Sequence, residues 1–335
     1  MNFEEQLTLA SLRAGTAEVA RMSAAVGEAV ASFADASTGA SRKVRDLARS
    51  LVPRWHFAML NDVERNEALA TAVERQVKPG DHVLDIGAGT GLLAMLAAKA
   101  GAAKVTSCEA NPMMAEIATQ VVAAHGLSDV ITVIPRRSDE LTIGRELERP
   151  VDVIVSEIVD CGLIGEGILP TMLHARTHLL APGGRLMPPS ARIHGALLQS
   201  SVIAGLNRVD HALGFDIGLI NSLSTAGHFP VRLHTWPHTM LSDPTELVSF
   251  DFVDGPLADG SRKVSFSATA DGTAHGIVAW FEMDLGAGVT LRNSPNNVSS
   301  HWMQALISFD EPLEVAAGDS VTVEVHWQDG LLSAV

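Results

Sequence analysis

The sequence predicts a mixed α/β fold, in which a doubly wound parallel sheet is followed by an antiparallel, barrel-like β domain. Between about residues 55 and 188, short apolar runs alternate with helical patterns, as in βαβ units. After Pro188 and Pro189, segments such as GIVAWFEMDLG and SVTVEVHWQDG alternate apolar and polar residues and end in Asp/Gly turns. We therefore expect a helical element at 1–50, a sheet domain at 51–188 and a β domain at 189–335.

The first 50 residues predict two helices. Apolar residues recur there at three- and four-residue steps, DASTGAS interrupts the pattern, and SRKVRDLARSLV resumes it. Such a narrow apolar stripe buries little surface by itself, so the element must dock on the main body or on a second copy of the chain. Dimerisation is our hypothesis for this element.

The composition is that of an ordinary globular protein, because 47% hydrophobic and 19% charged residues exclude the disordered class. No apolar stretch is long enough to cross a bilayer, and the N-terminus lacks the basic and apolar regions of a secretory signal. We therefore expect a cytoplasmic protein. The formal net charge of −15 disfavours nucleic acid and anionic membranes as partners and favours a cationic one.

The cysteines and histidines do not predict a metal site. Cys108 and Cys161 are too few for a disulfide framework and lack the C-x-x-C spacing of zinc ligands. His174 and His178 stand four residues apart on a predicted helix, but no third ligand is evident. No base is identifiable for Cys161 as a nucleophile, so we interpret it as a packing residue.

A glycine-rich turn follows the first strand of the predicted sheet. The segment VLDIGAGTG places Asp85 at the end of a buried strand, with Gly87, Gly89 and Gly91 directly after it. Such a turn lets the backbone approach a ligand at a helix N-terminus. The spacing is G-x-G-x-G and not the G-x-G-x-x-G of dinucleotide sites, so it favours S-adenosylmethionine as the cofactor.

The second strand, in KVTSCEAN, ends at Glu109, where an acidic side chain can accept hydrogen bonds from both ribose hydroxyls. The alternative is a structural turn with a surface glutamate. A strand, a glycine turn and a downstream acid in register favour the cofactor site over that alternative.

Two carboxylates lie on the sheet edge where the cofactor is expected. Glu157 ends the apolar strand VDVIVSE, and Glu166 follows in the loop DCGLIGEG. An arginine guanidinium is always charged and presents a planar fork of donors that matches carboxylates. Two fixed carboxylates can hold this group, draw its charge toward one nitrogen and aim that nitrogen at a methyl donor. Taken alone, they could equally cap a helix or face solvent.

Four segments together resemble the protein arginine methyltransferase family across about residues 55 to 335. They are HFAMLNDVERN, VLDIGAGTG, SEIVDCGLIGEG and SHWMQ at Ser300 to Gln304. Any one could arise by chance, whereas four in the right order are specific. The resemblance implies a class I methyltransferase sheet and S-adenosylmethionine-dependent methylation of an arginine guanidinium.

The resemblance also implies a cofactor role for several residues. Arg65 would meet the cofactor carboxylate, Glu109 the ribose, and Asp139 or Glu140 the adenine region. Glu157 would contact the cofactor as well as the acceptor.

At the acceptor, the resemblance implies that Glu157 and Glu166 clamp the guanidinium. It also implies that His301 pairs with Asp62, and that Trp302 and Met59 form part of the pocket. The His–Asp pair could accept the proton released on methyl transfer.

The chain departs from the family where the acceptor pocket is expected. It has no tyrosine and therefore no Y-F-x-x-Y motif, with only Trp55 and Phe57 nearby. The residues DC and GEG around the second loop position resemble the monomethylating branch, so we expect monomethylarginine as the product.

The segment SSVIAGLNRVDHALGFDIGLINSL occupies the place of the family's dimerisation arm. We expect a homodimer. It offers no obvious aromatic or acidic surface for gripping a polypeptide. The whole chain also resembles free-arginine N-methyltransferases of antibiotic biosynthesis, so we favour free L-arginine as the acceptor. Arg54, Arg232 and Arg292 are undistinguished candidates for its α-carboxylate. Methylation of a protein or peptide arginine, or a non-catalytic S-adenosylmethionine-binding scaffold, remain the alternatives.

Overall fold

A computed structural model describes residues 52–335, so the helical element predicted at 1–50 lies outside the described residues. Five parallel strands form the first sheet: β1 (His82–Ile86), β2 (Lys104–Cys108), β3 (Ile131–Ile134), β4 (Val151–Ser156) and β5 (Leu180–Met187). Their order across the sheet is β3-β2-β1-β4-β5. Every residue of β1 is buried, as expected of a central strand covered on both faces.

Helices flank and precede this sheet. They are α1 (Trp55–Leu60), α2 (Val63–Gln76), α3 (Leu92–Lys99), α4 (Pro112–Ala124) and α5 (Ile168–His178). Local sequence starts several of them: Asp62 caps α2 by accepting from the Arg65 N–H, and Asn111 caps α4 ahead of a proline at its first position. A short 3-10 turn, Ser138–Glu140, follows β3.

The second half of the chain is antiparallel throughout. One sheet has the order β10-β6-β13-β15-β9, with β11 paired to β6 and β14 to β13, and a three-stranded sheet has the order β12-β16-β17. The strands are β6 (Ser190–Gln199), β9 (His228–Val231), β10 (Thr239–Met240), β11 (Thr245–Asp251), β12 (Gly260–Ser267), β13 (Gly272–Gly286), β14 (Val289–Arg292), β15 (Gln304–Val315), β16 (Ser320–Gln328) and β17 (Leu331–Ala334). This arrangement confirms the predicted fold class.

The parallel sheet and the antiparallel half share a large apolar core, which includes Met187 at the end of β5 and the fully buried Phe281 of β13. Pro188 and Pro189 lie between β5 and β6. Arg176 of α5 donates to the carbonyls of Phe252 and Gly255, which joins the halves with polar contacts. The two halves of the chain are therefore packed directly against each other.

A protruding segment, residues 201–223, follows β6, and we call it the arm. It contains α6 (Ser201–Ala204), the hairpin of β7 (His211–Ala212) and β8 (Phe215–Asp216), and a 3-10 turn, Gly218–Leu223. Its exposed apolar side chains include Leu206, Leu213, Phe215, Leu219, Ile220 and Leu223.

None of the helices in the described part of the chain is both long and apolar enough to cross a membrane.

Candidate active site

A cavity of about 660 Å³ opens at the carboxyl ends of β1, β2 and β4. This is the edge where parallel α/β sheets bind ligands, and the volume lies in the usual range for small-molecule sites. Of the residues predicted for the site, nine line the cavity: Met59, Arg65, Gly87, Gly89, Glu109, Glu157, Glu166, His301 and Trp302. One cavity thus brings together residues from both halves of the chain.

Gly87 and Gly89 of the glycine turn line the cavity. Gly87, Gly89 and Gly91 have φ angles of +86°, +54° and +84°, which are strained for other residues. A Cβ on Gly87 would lie 2.6 Å from Cγ2 of Ile158, whereas one on Gly89 would meet no atom within 4 Å. Gly89 therefore leaves its backbone open toward the cavity, while Gly91 lies outside the cavity wall and precedes α3.

Glu109 lies beside the glycine turn, as the sequence predicts. Its Oε2 accepts from the Gly89 N–H at 2.9 Å, and its Oε1 accepts from the Asn111 N–H at 2.8 Å. Each carboxylate oxygen has a further lone pair, so Glu109 can also accept from hydroxyl groups of a ligand. The backbone contacts fix the carboxylate in the orientation that this requires.

Three other residues predicted for the cofactor lie outside the cavity wall. Asp85 is fully buried beneath the turn and accepts from the Ser107 hydroxyl at 2.7 Å, and burial raises its pKa to about 7. Asp139 faces outward and binds Arg137 at 3.1 Å. Glu140 shares the Ser138–Glu140 turn, whose Ser138 lines the cavity. Their roles in cofactor binding stay predictions.

Glu157 directly follows β4 and is the more enclosed of the two clamp carboxylates, with a side chain only 3% exposed. The Nε of Arg65 donates to its Oε2 at 2.8 Å, and Nη2 of Arg65 donates to the same oxygen. Burial raises the pKa of Glu157, and the Arg65 charge opposes that rise. Glu157 is thus oriented by a guanidinium of its own chain.

Arg65 lies on α2 with its side chain 5% exposed. Besides Glu157, it donates from Nη1 to Oδ1 of Asn66 at 2.8 Å, and its guanidinium carbon lies 5.9 Å from the centre of the Trp302 ring. The contact with the ring face adds a cation–π attraction. Arg65 therefore connects the cofactor side of the cavity with the acceptor side.

Glu166 lies on the cavity wall with an unusually high pKa. Its side chain is exposed to the cavity, but the protein atoms around it still remove much of its hydration, which raises its pKa to about 7. The negative charges of Glu157, Asp160 and Glu109 add to the rise, and Arg65 opposes it. A carboxyl group surrounded by other carboxylates is stabilised in its charged form by a cation. Glu166 is accordingly suited to a positively charged acceptor.

His301 and Asp62 form the predicted pair beside these carboxylates. Oδ2 of Asp62 lies 2.8 Å from Nδ1 of His301 and also accepts from the His301 backbone N–H at 2.9 Å. Burial would raise the pKa of Asp62, but these hydrogen bonds and one from the Arg65 N–H bring it below the usual value. An ionised Asp62 holds the hydrogen on Nδ1, which leaves Nε2 of His301 as an acceptor.

Burial lowers the pKa of His301, helped by the charges of Arg65 and Arg232, while the hydrogen bond to Asp62 opposes the shift. The ring is therefore neutral at neutral pH, the form that can take up a proton.

Aromatic and apolar side chains complete the acceptor side. Trp302 donates from Nε1 to the Val159 carbonyl at 3.1 Å and packs edge-on against Phe281. Met59 lines the cavity, as does Trp55, which stacks on His56 with ring centres 3.8 Å apart. Phe57 is 66% exposed and does not line the cavity. Of the two aromatics near the expected motif, Trp55 is the one at the pocket.

Sequence reasoning missed three residues that hold the acceptor site together. Asp160 lies between the two glutamates and contacts His228 of β9 at 2.6 Å. Asn293 donates from Nδ2 to the carbonyls of Cys161 and Met303 at 3.0 and 2.8 Å. Asp160 could have been noticed in the loop itself, but His228 and Asn293 are distant in sequence and carry no local motif.

Asp160, Cys161 and His228 bring three ligand types within 4.8 Å of one another, yet their hydrogen bonding does not suit a metal ion. The Leu332 N–H donates to Nδ1 of His228 at 3.0 Å, so Nε2 carries the ring hydrogen and points at Asp160. A metal on Nε2 would move that hydrogen onto Nδ1, against the Leu332 donor. Burial also raises the pKa of the Cys161 thiol well above its usual value, as befits a packing residue.

Comparisons with known proteins agree with this geometry. Residues 190–330 match the family model of the arginine methyltransferase oligomerization subdomain, and residues 68–187 match that of ribosomal protein L11 methyltransferase. The chain is 55% identical over 283 residues to an arginine N(omega)-methyltransferase of Streptomyces achromogenes subsp. streptozoticus, covering 84% of this chain and 78% of that protein. The chain belongs to the arginine methyltransferase family.

Two further relatives are longer proteins. Protein arginine N-methyltransferase 7 of Oryza sativa subsp. indica is 35% identical over 69% of this chain, and human protein arginine N-methyltransferase 9 is 31% identical over 84%. This family member spans only 35% and 38% of their respective lengths.

Solved structures show the same fold. The Trypanosoma brucei PRMT1 enzyme-prozyme heterotetrameric complex with AdoHcy aligns with a TM-score of 0.72 and 28% identity over 81% of this chain and 86% of that one. Arabidopsis thaliana protein arginine methyltransferase 10 aligns with a TM-score of 0.68 and 24% identity over 83% and 89%.

The cofactor of this family member is S-adenosylmethionine, and the described residues fit it. The open space beside Gly89 and the fixed carboxylate of Glu109 would suit an adenosine group. When bound, the cofactor supplies an electrophilic methyl group on a sulfonium. The protein is therefore an S-adenosylmethionine-dependent methyltransferase of the arginine-modifying family.

Proposed function

We propose that the protein methylates the guanidinium of free L-arginine once, forming Nω-monomethyl-L-arginine. The observation that carries this proposal is a single cavity lined by the glycine turn and Glu109, by Glu157 and Glu166, and by His301, which Asp62 holds from outside the cavity wall. A neutral acceptor would gain little from two carboxylates, whereas a guanidinium matches them in charge and shape.

The two carboxylates prepare the acceptor nitrogen. In free guanidinium the positive charge and the lone pairs are delocalised, so each nitrogen is a poor nucleophile. Glu157 and Glu166 draw the charge toward the nitrogens that they bind and orient the remaining nitrogen toward the methyl group. Burial of Glu157 strengthens this interaction because a low local dielectric reduces screening.

His301 receives the proton. As the attacking nitrogen forms its bond to the methyl carbon and the bond from carbon to sulfur breaks, that nitrogen loses one hydrogen as H⁺. The neutral Nε2 of His301 is the nearby group prepared to accept it, directly or through water, and Asp62 stabilises the resulting imidazolium. The methylated guanidinium keeps its positive charge.

A positively charged side chain near the acceptor side of the cavity supports free L-arginine as the acceptor. Arg232 directly follows β9, two residues after the cavity-lining Pro230, and its Nη2 lies 3.5 Å from the His301 carbonyl. Among the described residues no carboxylate lies within ion-pair distance of Arg232, whereas Arg292 faces Glu282 at 3.7 Å. We infer that Arg232 binds the α-carboxylate of the acceptor. The 55% identical relative is likewise named for arginine rather than protein arginine.

The test is mass spectrometry of purified protein incubated with labelled S-adenosylmethionine and either L-arginine or an arginine-rich peptide. We expect labelled monomethylarginine from the free amino acid. Labelling of the peptide alone would support the activity named for the protein arginine N-methyltransferase relatives. Label in neither would favour a non-catalytic scaffold, and dimethylarginine as the main product under excess cofactor would contradict monomethylation.

The role of Arg232 has its own test. Arg232→Gln should raise KM for L-arginine by about 10- to 100-fold, the usual value of a hydrogen bond to a charged group, with Arg292→Gln as the control. L-argininamide lacks the carboxylate, so wild type and Arg232→Gln should handle it alike. A large effect of the substitution on the amide would contradict this role.

We further propose a homodimer that docks through the arm, in the cytoplasm. The arm lies within the region that matches the oligomerization subdomain, and its exposed side chains include Leu213, fully exposed, and Phe215, 72% exposed. Burying these residues in a partner would remove a large apolar surface from water. Phe215→Asp should yield monomers in light scattering, while Val253→Asp, also at an exposed apolar residue, should not. Cell fractionation would test the location.

A further inference from the structure

The acceptor loop, residues 157–166, is held by the β domain at three points. Trp302 donates to the Val159 carbonyl at 3.1 Å, and Asn293 donates to the Cys161 carbonyl at 3.0 Å. The third point is different, because there the side chain of Asp160 connects His228 of β9 with the backbone of Gly165. Gly165 directly precedes Glu166, so this third contact acts on the part of the loop that carries the second clamp carboxylate.

A chain of hydrogen bonds with a defined direction passes through these residues. The Leu332 N–H of β17 donates to Nδ1 of His228 at 3.0 Å. The hydrogen of the neutral ring is therefore on Nε2, which donates to Oδ2 of Asp160 at 2.6 Å. Oδ1 of Asp160 accepts from the Gly165 N–H at 2.8 Å. Both carboxylate oxygens are engaged, so Asp160 has one orientation.

The loop backbone packs closely against the side chains of Asp160 and His228. A Cβ on Gly162 would lie 2.4 Å from Nε2 of His228, and one on Gly165 would lie 2.4 Å from Oδ2 of Asp160. The His228 side chain is only 3% exposed. The two glycines thus allow the loop backbone to close directly around the Asp160–His228 contact.

We propose that Asp160 and His228 are positioning residues that fix Glu166 for its contact with the acceptor guanidinium. This inference rests on the proposed function, because it concerns the same acceptor. A clamp carboxylate must be held within a fraction of an ångström, and Glu166, unlike Glu157, has no arginine of the chain paired with it among the described residues. The Asp160–His228 contact supplies that restraint through the backbone.

Asp160 also acts through its charge. The charged groups that influence Glu166 are Glu157, Asp160 and Glu109, which favour its protonated form, and Arg65, which opposes them. Since His228 is neutral in this tautomer, it orients the Asp160 carboxylate without cancelling its charge. Asp160 therefore contributes both to the position of Glu166 and to its high affinity for a cation.

Two substitutions of His228 separate positioning from general stability. In Gln the amide nitrogen takes the place of Nε2, so His228→Gln retains the donor to Asp160 and loses the acceptor for Leu332. In Asn the amide oxygen takes the place of Nδ1, so His228→Asn does the reverse. We expect His228→Asn to raise KM for arginine and lower kcat/KM by about 10- to 100-fold, and His228→Gln to stay within about threefold of wild type.

Cofactor affinity and thermal stability should be similar in both variants, and His326→Asn on β16 serves as a control away from the loop. Equal kinetic loss in the Gln and Asn variants, tracking their stability, would reduce the pair to a structural contact and overturn the proposal. A wild-type protein that methylates no arginine would instead contradict the proposed function.

Asp160→Asn provides a second, independent readout. It removes one of the three negative charges near Glu166, so the pKa of Glu166 should fall and the acid limb of kcat/KM should move to lower pH, together with a higher KM for arginine. An unchanged pH profile with an unchanged KM would overturn the proposal even if His228→Asn failed to fold.

Discussion

The two ends of the cavity are built in opposite ways. At the cofactor end, Asp85, Gly87 and Glu109 come from two adjacent strands and the turns that directly follow them. At the acceptor end, Glu166 and His301 come from different halves of the chain and meet only through tertiary contacts. Each end nevertheless contains a carboxyl group whose pKa is raised to about 7, namely Asp85 and Glu166.

The difference lies in what each carboxyl group faces. Burial is the largest cause of both shifts, but Asp85 is sealed beneath the glycine turn, and its Oδ1 has no hydrogen-bond partner. Glu166 faces the cavity, where neighbouring carboxylates raise its pKa further and a cationic acceptor can lower it. Similar pKa values should therefore affect stability at the cofactor end and activity at the acceptor end.

The largest expected effect separates the two ends directly. Glu157→Gln removes a clamp charge, so turnover should fall by about 10³-fold or more while cofactor binding, measured by calorimetry, stays nearly unchanged. Glu109→Gln should do the reverse and weaken cofactor binding first. Equal loss of both properties in Glu157→Gln would show that Glu157 is as much a cofactor residue as an acceptor residue.

His301 tests whether the acceptor end also removes the proton. His301→Asn keeps an amide at the position of Nδ1, where it can hydrogen-bond to Asp62, but removes the basic ring, so kcat should fall by about 10²- to 10³-fold with little change in KM. Single-turnover measurements would locate the loss in the chemical step. A variant with normal kcat would assign proton removal to solvent and leave His301 a structural role.

The pH dependence of activity should report Glu166. Below about pH 7 this carboxyl group is protonated in the free enzyme and attracts a guanidinium weakly, so kcat/KM for arginine should rise with pH through that region. Glu166→Gln should have lower activity and a flatter profile between pH 6 and 8. Cofactor affinity over the same range is the control, and a parallel change in it would point to Asp85 instead.

These contrasts also explain how far the sequence could predict the structure. The strand, glycine turn and acid of the cofactor end are local patterns, so Gly87, Gly89 and Glu109 could be placed at the cavity without a structure. At the acceptor end, Glu157 and Glu166 were noticed at a strand end and in the loop after it, but their interpretation as a clamp was favoured over a helix cap only by the family resemblance. His301 was found through that resemblance alone, because nothing in the sequence spacing requires it to meet them.

His228 and Asn293 were not predicted, since a buried histidine or asparagine becomes meaningful only once its partners are known. For the adenine region, the sequence predicts the residues but not the directions of their side chains. The sequence places acids at Asp139 and Glu140, but side-chain direction on a 3-10 turn depends on the neighbouring Arg137, which draws Asp139 outward. Loop side chains with a nearby charged partner are thus the hardest to place from sequence.

Asp85 should affect stability with a defined sign. Its pKa is higher in the folded chain than the ordinary value of 3.8, so its contribution to stability is present at low pH and is lost as pH rises through about 7. Wild-type protein should therefore have a lower free energy of unfolding at pH 8.5 than at pH 5.5, with Asp85 accounting for about 2 kcal/mol of the difference.

Asp85→Asn keeps an acceptor for Ser107 and cannot ionise, so the dependence of its Tm on pH should be much weaker. Asp62, whose pKa is lowered, loses its stabilising effect only in more acidic solution and does not interfere within this window. An Asp85→Asn variant with the wild-type pH dependence would show that the Asp85 carboxyl group is ionised in the folded protein. Asp85 would then not be the cause of the change in stability with pH, which contradicts its part in the contrast between the two ends of the cavity.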